Sequence, residues 1–91
     1  MALEDLSPEI RRRAAQSLGR WRVTWSRMLL EERLRREDDE KVIDKIAQAL
    51  GPVGVLETLP LLEACLKLAQ RAATRRHIRN AVVEIRSRHA V

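Results

Sequence analysis

Arginine supplies most of the chemistry available to this chain. Fifteen of its 18 basic residues are Arg. Arg13, Arg20 and Arg27 recur every seven residues, with Gln16 and Thr24 falling between them on one helical face. Arg75, Arg79 and Arg86 share a second stripe, flanked by Arg76 and Arg88. Two helical turns advance about 10.5 Å, so such a ladder can straddle phosphates along a nucleic-acid backbone. The guanidinium fork binds phosphate oxygens two at a time. Gln16, Thr24, Asn80 and Ser87 are polar neighbours of the kind that contact phosphate. The sequence therefore nominates Arg13, Arg20, Arg27, Arg75, Arg79 and Arg86 as nucleic-acid contacts, without separating DNA from RNA. An acidic protein surface is the other partner an Arg face fits.

The charges are also segregated along the chain. Residues 1–36 carry nine Arg and five acids, residues 37–63 two Lys and seven acids, and residues 64–91 six Arg, one Lys and one acid. Two basic ends thus flank an acidic middle, within a formal net charge of +5. Most of that middle has a local explanation. The run Glu37-Asp38-Asp39-Glu40 precedes a helical pattern, where carboxylates cap free N–H groups and complement the helix dipole.

Other chemistries find no foothold. One Cys and two His cannot build a zinc-finger site. His77 and His89 have no carboxylate at the neighbouring helical positions, and no Gly-rich phosphate loop or nucleophile elbow is present. The expectation is a protein that is not an enzyme, with no cofactor, no metal and no small-molecule substrate. No apolar run approaches the roughly 20 residues of a membrane span, and Met1–Leu6 lacks a signal pattern. A cytoplasmic protein without a membrane partner is expected. Cys65, alone in the apolar run Leu61–Ala69, is expected as a small buried hydrophobe.

These groups must be positioned by helices. Three Gly and three Pro punctuate a chain rich in helix formers, and no window alternates like a strand. The fold class is all-α: a single domain over residues 1–91, a compact bundle of four or five helices. Ser7-Pro8-Glu9 starts the first helix. Its apolar face runs Ile10, Ala14, Leu18, Trp21, Trp25 and Met28, which places both Trp residues in the core. Unbroken from 8 to 36 it would measure about 43 Å, against roughly 30 Å for a domain of this size. It either breaks near residues 19–22 or projects, leaving Leu30 and Leu34 as interface residues for a protein partner. Asp39 caps a second helix that stops at Gly51-Pro52. Residues 51–58 connect to a third helix, about 59–72, apolar over most of its girth and so expected at the centre of the bundle. Thr74 caps a fourth, about 75–89, with Ile78, Ala81, Val82 and Ile85 inward.

The segment from Ser7 to Trp21, Pro and an acid followed by Ile10-Arg11, Ala14-Ala15 and Leu18-Gly19, resembles the second helix of a HEAT repeat. Leu59-Pro60-Leu61-Leu62 followed by Arg75–Ile85 is similar to a helix pair of the same family. No period of about 40 residues recurs, and 37–50 fits no such helix in register. The resemblance implies stacked helix pairs and a binding role. Two functions follow as expectations. One is a non-catalytic subunit binding nucleic-acid backbone within a larger nucleoprotein complex, similar in size and character to the small subunits of CRISPR effector complexes. The alternative is a HEAT-like or dimeric module for protein–protein interaction, with a protein partner or a second copy as ligand.

Overall fold

The computed structural model describes residues 2–21 and 24–90. Five α-helices follow in order: α1 Pro8–Leu18, α2 Thr24–Arg36, α3 Glu40–Leu50, α4 Leu59–Leu68 and α5 Ala72–Arg88. Short 3₁₀ turns at Ala2–Glu4 and Leu56–Thr58 precede α1 and α4, and no strand occurs among the described residues. The N-cap positions of α1, α3 and α5 fall at Ser7, Asp39 and Arg71, steps of 32 residues. These three helices lie side by side, α1 on α3 and α3 on α5. The second layer is α2 and α4, which pack on α3 and α5 and touch each other. The result is a slab whose Cα atoms extend 41 × 29 × 17 Å, with the thin dimension set by two layers of helices.

The core follows from this layering. Leu30 and Leu34 of α2, Val42, Ile46 and Leu50 of α3, Leu62 of α4, and Ile78 and Ile85 of α5 are all buried. Each contributes about 1.5–3 kcal/mol through burial. The central element is α3, which packs on α1, α2 and α5. The sequence pattern put α4 there. It is apolar on most of its girth, yet Leu62 is its only fully buried residue and Leu68 is 81% exposed.

Helix ends show how the segments were cut. The long first helix breaks: α1 ends at Leu18, and the Gly19, Arg20 and Trp21 N–H groups bond back to Ala15, Ser17 and Leu18. Gly19 sits where α1 crosses α3, and a Cβ there would meet Ala49 Cβ at 2.9 Å. Asp39 caps α3 as its position predicts, Oδ1 accepting from the Lys41 and Val42 N–H groups. Ser7 holds the N-cap of α1 in extended backbone but makes no side-chain cap bond. Thr74 lies inside α5 rather than at its start, which falls at Arg71.

The break overturns two expectations about apolar residues. Trp21 and Trp25 are 60% and 51% exposed, with ring centroids 6.3 Å apart, instead of sharing the core. Leu30 and Leu34, expected as a protein interface on a projecting helix, are enclosed between α2 and the other layer. Turning the chain between α1 and α2 rotates α2 independently. Its Leu30–Leu34 edge then seeks the core, and Trp25 and Met28 remain outside.

Candidate binding face

The six nominated arginines do not form two ladders. Arg13 lies exposed on α1, paired with Glu9 at 3.2 Å. Arg20 lies in the turn after α1, and Arg27 belongs to α2, where it donates to both Glu31 oxygens at 3.0 and 3.2 Å. Arg75, Arg79 and Arg86 do share α5, but their roles differ. Arg75 donates to the Leu66 and Ala69 carbonyls at 2.9 and 3.0 Å, closing the end of α4. Arg86 pairs with Glu63 of α4 at 3.1 Å. Arg79 is exposed and makes no ion pair among the described residues. Arg27 and Arg75 therefore serve the fold, and of the six only Arg20 and Arg79 have neither an acidic partner nor a carbonyl one among the described residues.

Several structural charges were not singled out by spacing. Arg11 is buried and donates Nε and Nη2 to the two Glu37 oxygens at 2.8 and 2.9 Å. Its Nη1 donates to the Asp5 and Leu6 carbonyls at 2.8 and 3.0 Å. Arg11 and Arg75 stand 64 residues apart, two repeat steps, and both donate to the carbonyl six residues before them. Burial pushes the Glu37 carboxyl up, but the bonds from Arg11 and the Asp39 N–H, with the charges of Arg11 and Arg33, hold it below its ordinary range. Arg33 Nε lies 3.0 Å from Glu37 Oε1, close enough to pair though off the line of a hydrogen bond.

The helix starts share a device. Asp5 and Glu37 each accept from the N-cap N–H two residues on, at Ser7 and Asp39. The equivalent position before α5 is Ala69, which has no carboxylate. Glu40 of α3 replaces it, accepting from the Gln70 and Arg71 N–H groups at 2.9 and 3.0 Å. Those two bonds are the main reason the Glu40 carboxyl stays below its ordinary range.

His77 has a carboxylate partner after all. Its Nδ1 lies 2.6 Å from Asp44 Oδ1, which also accepts from Gln48 Nε2 at 2.6 Å. The pairing crosses from α5 to α3, so spacing along one helix could not reveal it. Among the described residues no group of three His, Cys, Asp or Glu is placed to hold a metal ion. Cys65 is half-buried, and that burial pushes its thiol up.

On the α1–α3 side lies an open hollow of about 270 Å³ lined by Gln16, Gly19, Arg20, Lys45, Gln48, Ala49 and Pro52. Arg20 and Lys45 bring two cations to it, neither engaged in an ion pair among the described residues, and two amides stand beside them. No carboxylate lines it. Lys45 was passed over in the sequence because it sits in the acidic middle.

Helices in two layers, stacked at a constant step with short connections, are the mark of a helical repeat. The family model for HEAT repeats matches residues 1–83. The chain belongs to the HEAT repeat family. In those terms α2–α3 and α4–α5 are two helix pairs, and α1 stacks on α3 as α3 stacks on α5. The matched residues include Ser7–Trp21, which carry the resemblance, and also 37–50, which a period of about 40 leaves out. No curated protein and no solved structure matches the chain. No helix among the described residues is long and apolar enough to cross a membrane.

Proposed function

We propose that this HEAT chain is a non-catalytic protein-interaction module that acts in the cytoplasm. Its partner is an acidic protein segment laid across the face of α1 and α3. The observation that carries this is the hollow where Arg20 and Lys45 stand between Gln16 and Gln48, without an ion pair among the described residues. Two cations suit two carboxylates, and the Gln16 amide suits the main chain of an extended peptide, with Gln48 Nε2 held by Asp44. Stacked repeats use such broad faces for binding.

The second reading keeps nucleic-acid backbone as the ligand. Its support is Arg20, Arg71, Arg76 and Arg79 with Lys41 and Lys67, all exposed and without an ion pair among the described residues. Backbone binding normally neutralises several phosphates and carries a steep salt dependence. A membership of CRISPR effector complexes gains nothing from the family match.

One titration separates the readings. A fluorescent oligo-glutamate peptide and a single-stranded oligothymidine are each followed by anisotropy at low and moderate salt. The proposal expects saturable peptide binding that Lys45→Glu weakens by about tenfold, the scale of one lost charge contact in a partly enclosed site. Tighter binding of the oligothymidine, lost steeply with salt, would transfer the function to nucleic acid.

A further inference from the structure

A groove of about 490 Å³ runs between α2 and α4 on the opposite layer. Leu34, Ile43, Leu61, Cys65 and Leu68 give it apolar walls. One end is acidic: Glu37, Asp38 and Glu40 line it against a single cation, Arg35. Glu37 is spent on Arg11, and Glu40 on the start of α5. Asp38 is exposed and makes no ion pair among the described residues. In a chain of net charge +5, this is an apolar slot with negative charge at its mouth. What fits it is a helix that offers an aliphatic side chain beside Arg or Lys.

The chain carries such a helix. Arg76, Arg79 and Val83 stand three and four residues apart on one stripe of α5. All three are exposed, Val83 by 62%, and neither Arg makes an ion pair among the described residues. The stripe cannot reach the groove of its own molecule. Ile78, Ala81, Val82 and Ile85 already seat α5 against the core by another face.

We propose that the α2–α4 groove receives the Arg76–Arg79–Val83 stripe of α5 from a second copy of this chain. Val83 enters between Leu61, Cys65 and Leu68, and Arg79 meets Asp38. The two surfaces differ, so the contact is head-to-tail and each added copy presents a fresh groove and a fresh stripe. One aliphatic anchor and one charge pair make it a weak contact, formed at about 0.1–1 mM. It uses neither Arg20 nor Lys45, so it stands independently of the acidic-partner proposal.

Sedimentation velocity over rising concentration tests it on the intact chain. The wild type gains mass with concentration, and less so at high salt. Leu68→Glu and Val83→Asp change exposed side chains and keep the helical circular dichroism. Each alone remains monomeric. An equimolar mixture of the two forms a dimer and nothing larger, because Val83→Asp retains a working groove and Leu68→Glu a working stripe. A wild type that stays monomeric throughout, association that survives either substitution, or a mixture that does not pair would each overturn the proposal.

Discussion

The buried guanidinium of Arg11 and the carboxylate of Glu37 face each other through two parallel bonds of 2.8 and 2.9 Å. The pair joins α1 to the segment that starts α3. It is therefore a tie between successive repeats, and it fixes where the chain re-enters the layer after α2.

Removing one partner should cost far more than removing both. Arg11→Met leaves Glu37 buried with only Arg33 beside it, and the expected loss is about 3–5 kcal/mol. The double variant Arg11→Met, Glu37→Leu should recover most of that. Urea unfolding measures both. A single substitution that shifts stability by less than about 0.5 kcal/mol, the size of an ordinary surface change, would contradict the assignment.

Acid should unfold the protein through its helix starts. Glu37 and Glu40 both have folded pKa values below the ordinary 4.5. A lowered carboxylate pKa stabilises the fold above the unfolded value, and that contribution disappears as pH falls through the folded value. Stability followed by thermal melts should be flat near neutrality and fall below about pH 4.5. In Glu37→Gln the fall should be shallower, since one of the titrating groups is gone. An unchanged acid slope would remove Glu37 from that role.

Gly54 and Gly51 make a controlled comparison. A Cβ at Gly54 would lie 2.3 Å from Ile85 Cδ1 and 2.9 Å from the Leu50 carbonyl oxygen, inside the core. At Gly51 the nearest atom is the Glu84 carboxylate, the mobile end of an exposed side chain. Gly54→Ala should destabilise by about 1–3 kcal/mol, and Gly51→Ala by much less. Equal effects would mean that α3 and α5 approach differently at this end.

Leu30→Glu now predicts loss of folding rather than loss of an interface. A buried charge without a partner is not tolerated at a fully enclosed site. Circular dichroism at low temperature should show a collapse of helix content, where Leu68→Glu shows none.

Those contrasts also mark what the sequence could carry. Helix content, the Asp39 cap and the inward residues of α5 were legible, because caps and 3.6-residue periodicity are local. The HEAT likeness of Ser7–Trp21 was legible for the same reason. The repeat step was not, since it is 32 residues here and was sought near 40. The core position of Leu30 was hidden by extending the α1 face through Gly19, which a single residue's contact with Ala49 interrupts. Arg75 looked like a free phosphate contact because carbonyls are invisible to charge counting. Asp44–His77 joins two helices, and Arg20 and Lys45 line one hollow from the turn after α1 and from α3, so neither neighbourhood appears until α1, α3 and α5 lie side by side.

The central claim is that Arg20 and Lys45 form a site rather than a share of the net charge. Two double variants of equal net charge decide it: Arg20→Glu with Lys45→Glu, and Arg13→Glu with Lys67→Glu, all exposed or half-exposed positions. Oligo-glutamate affinity is measured by anisotropy at about 0.15 M salt, where distant charges are largely screened. The account predicts that the first pair abolishes binding and the second weakens it by no more than about threefold, the residue of long-range attraction. Equal losses in the two variants, or retention of binding in the first, would contradict it.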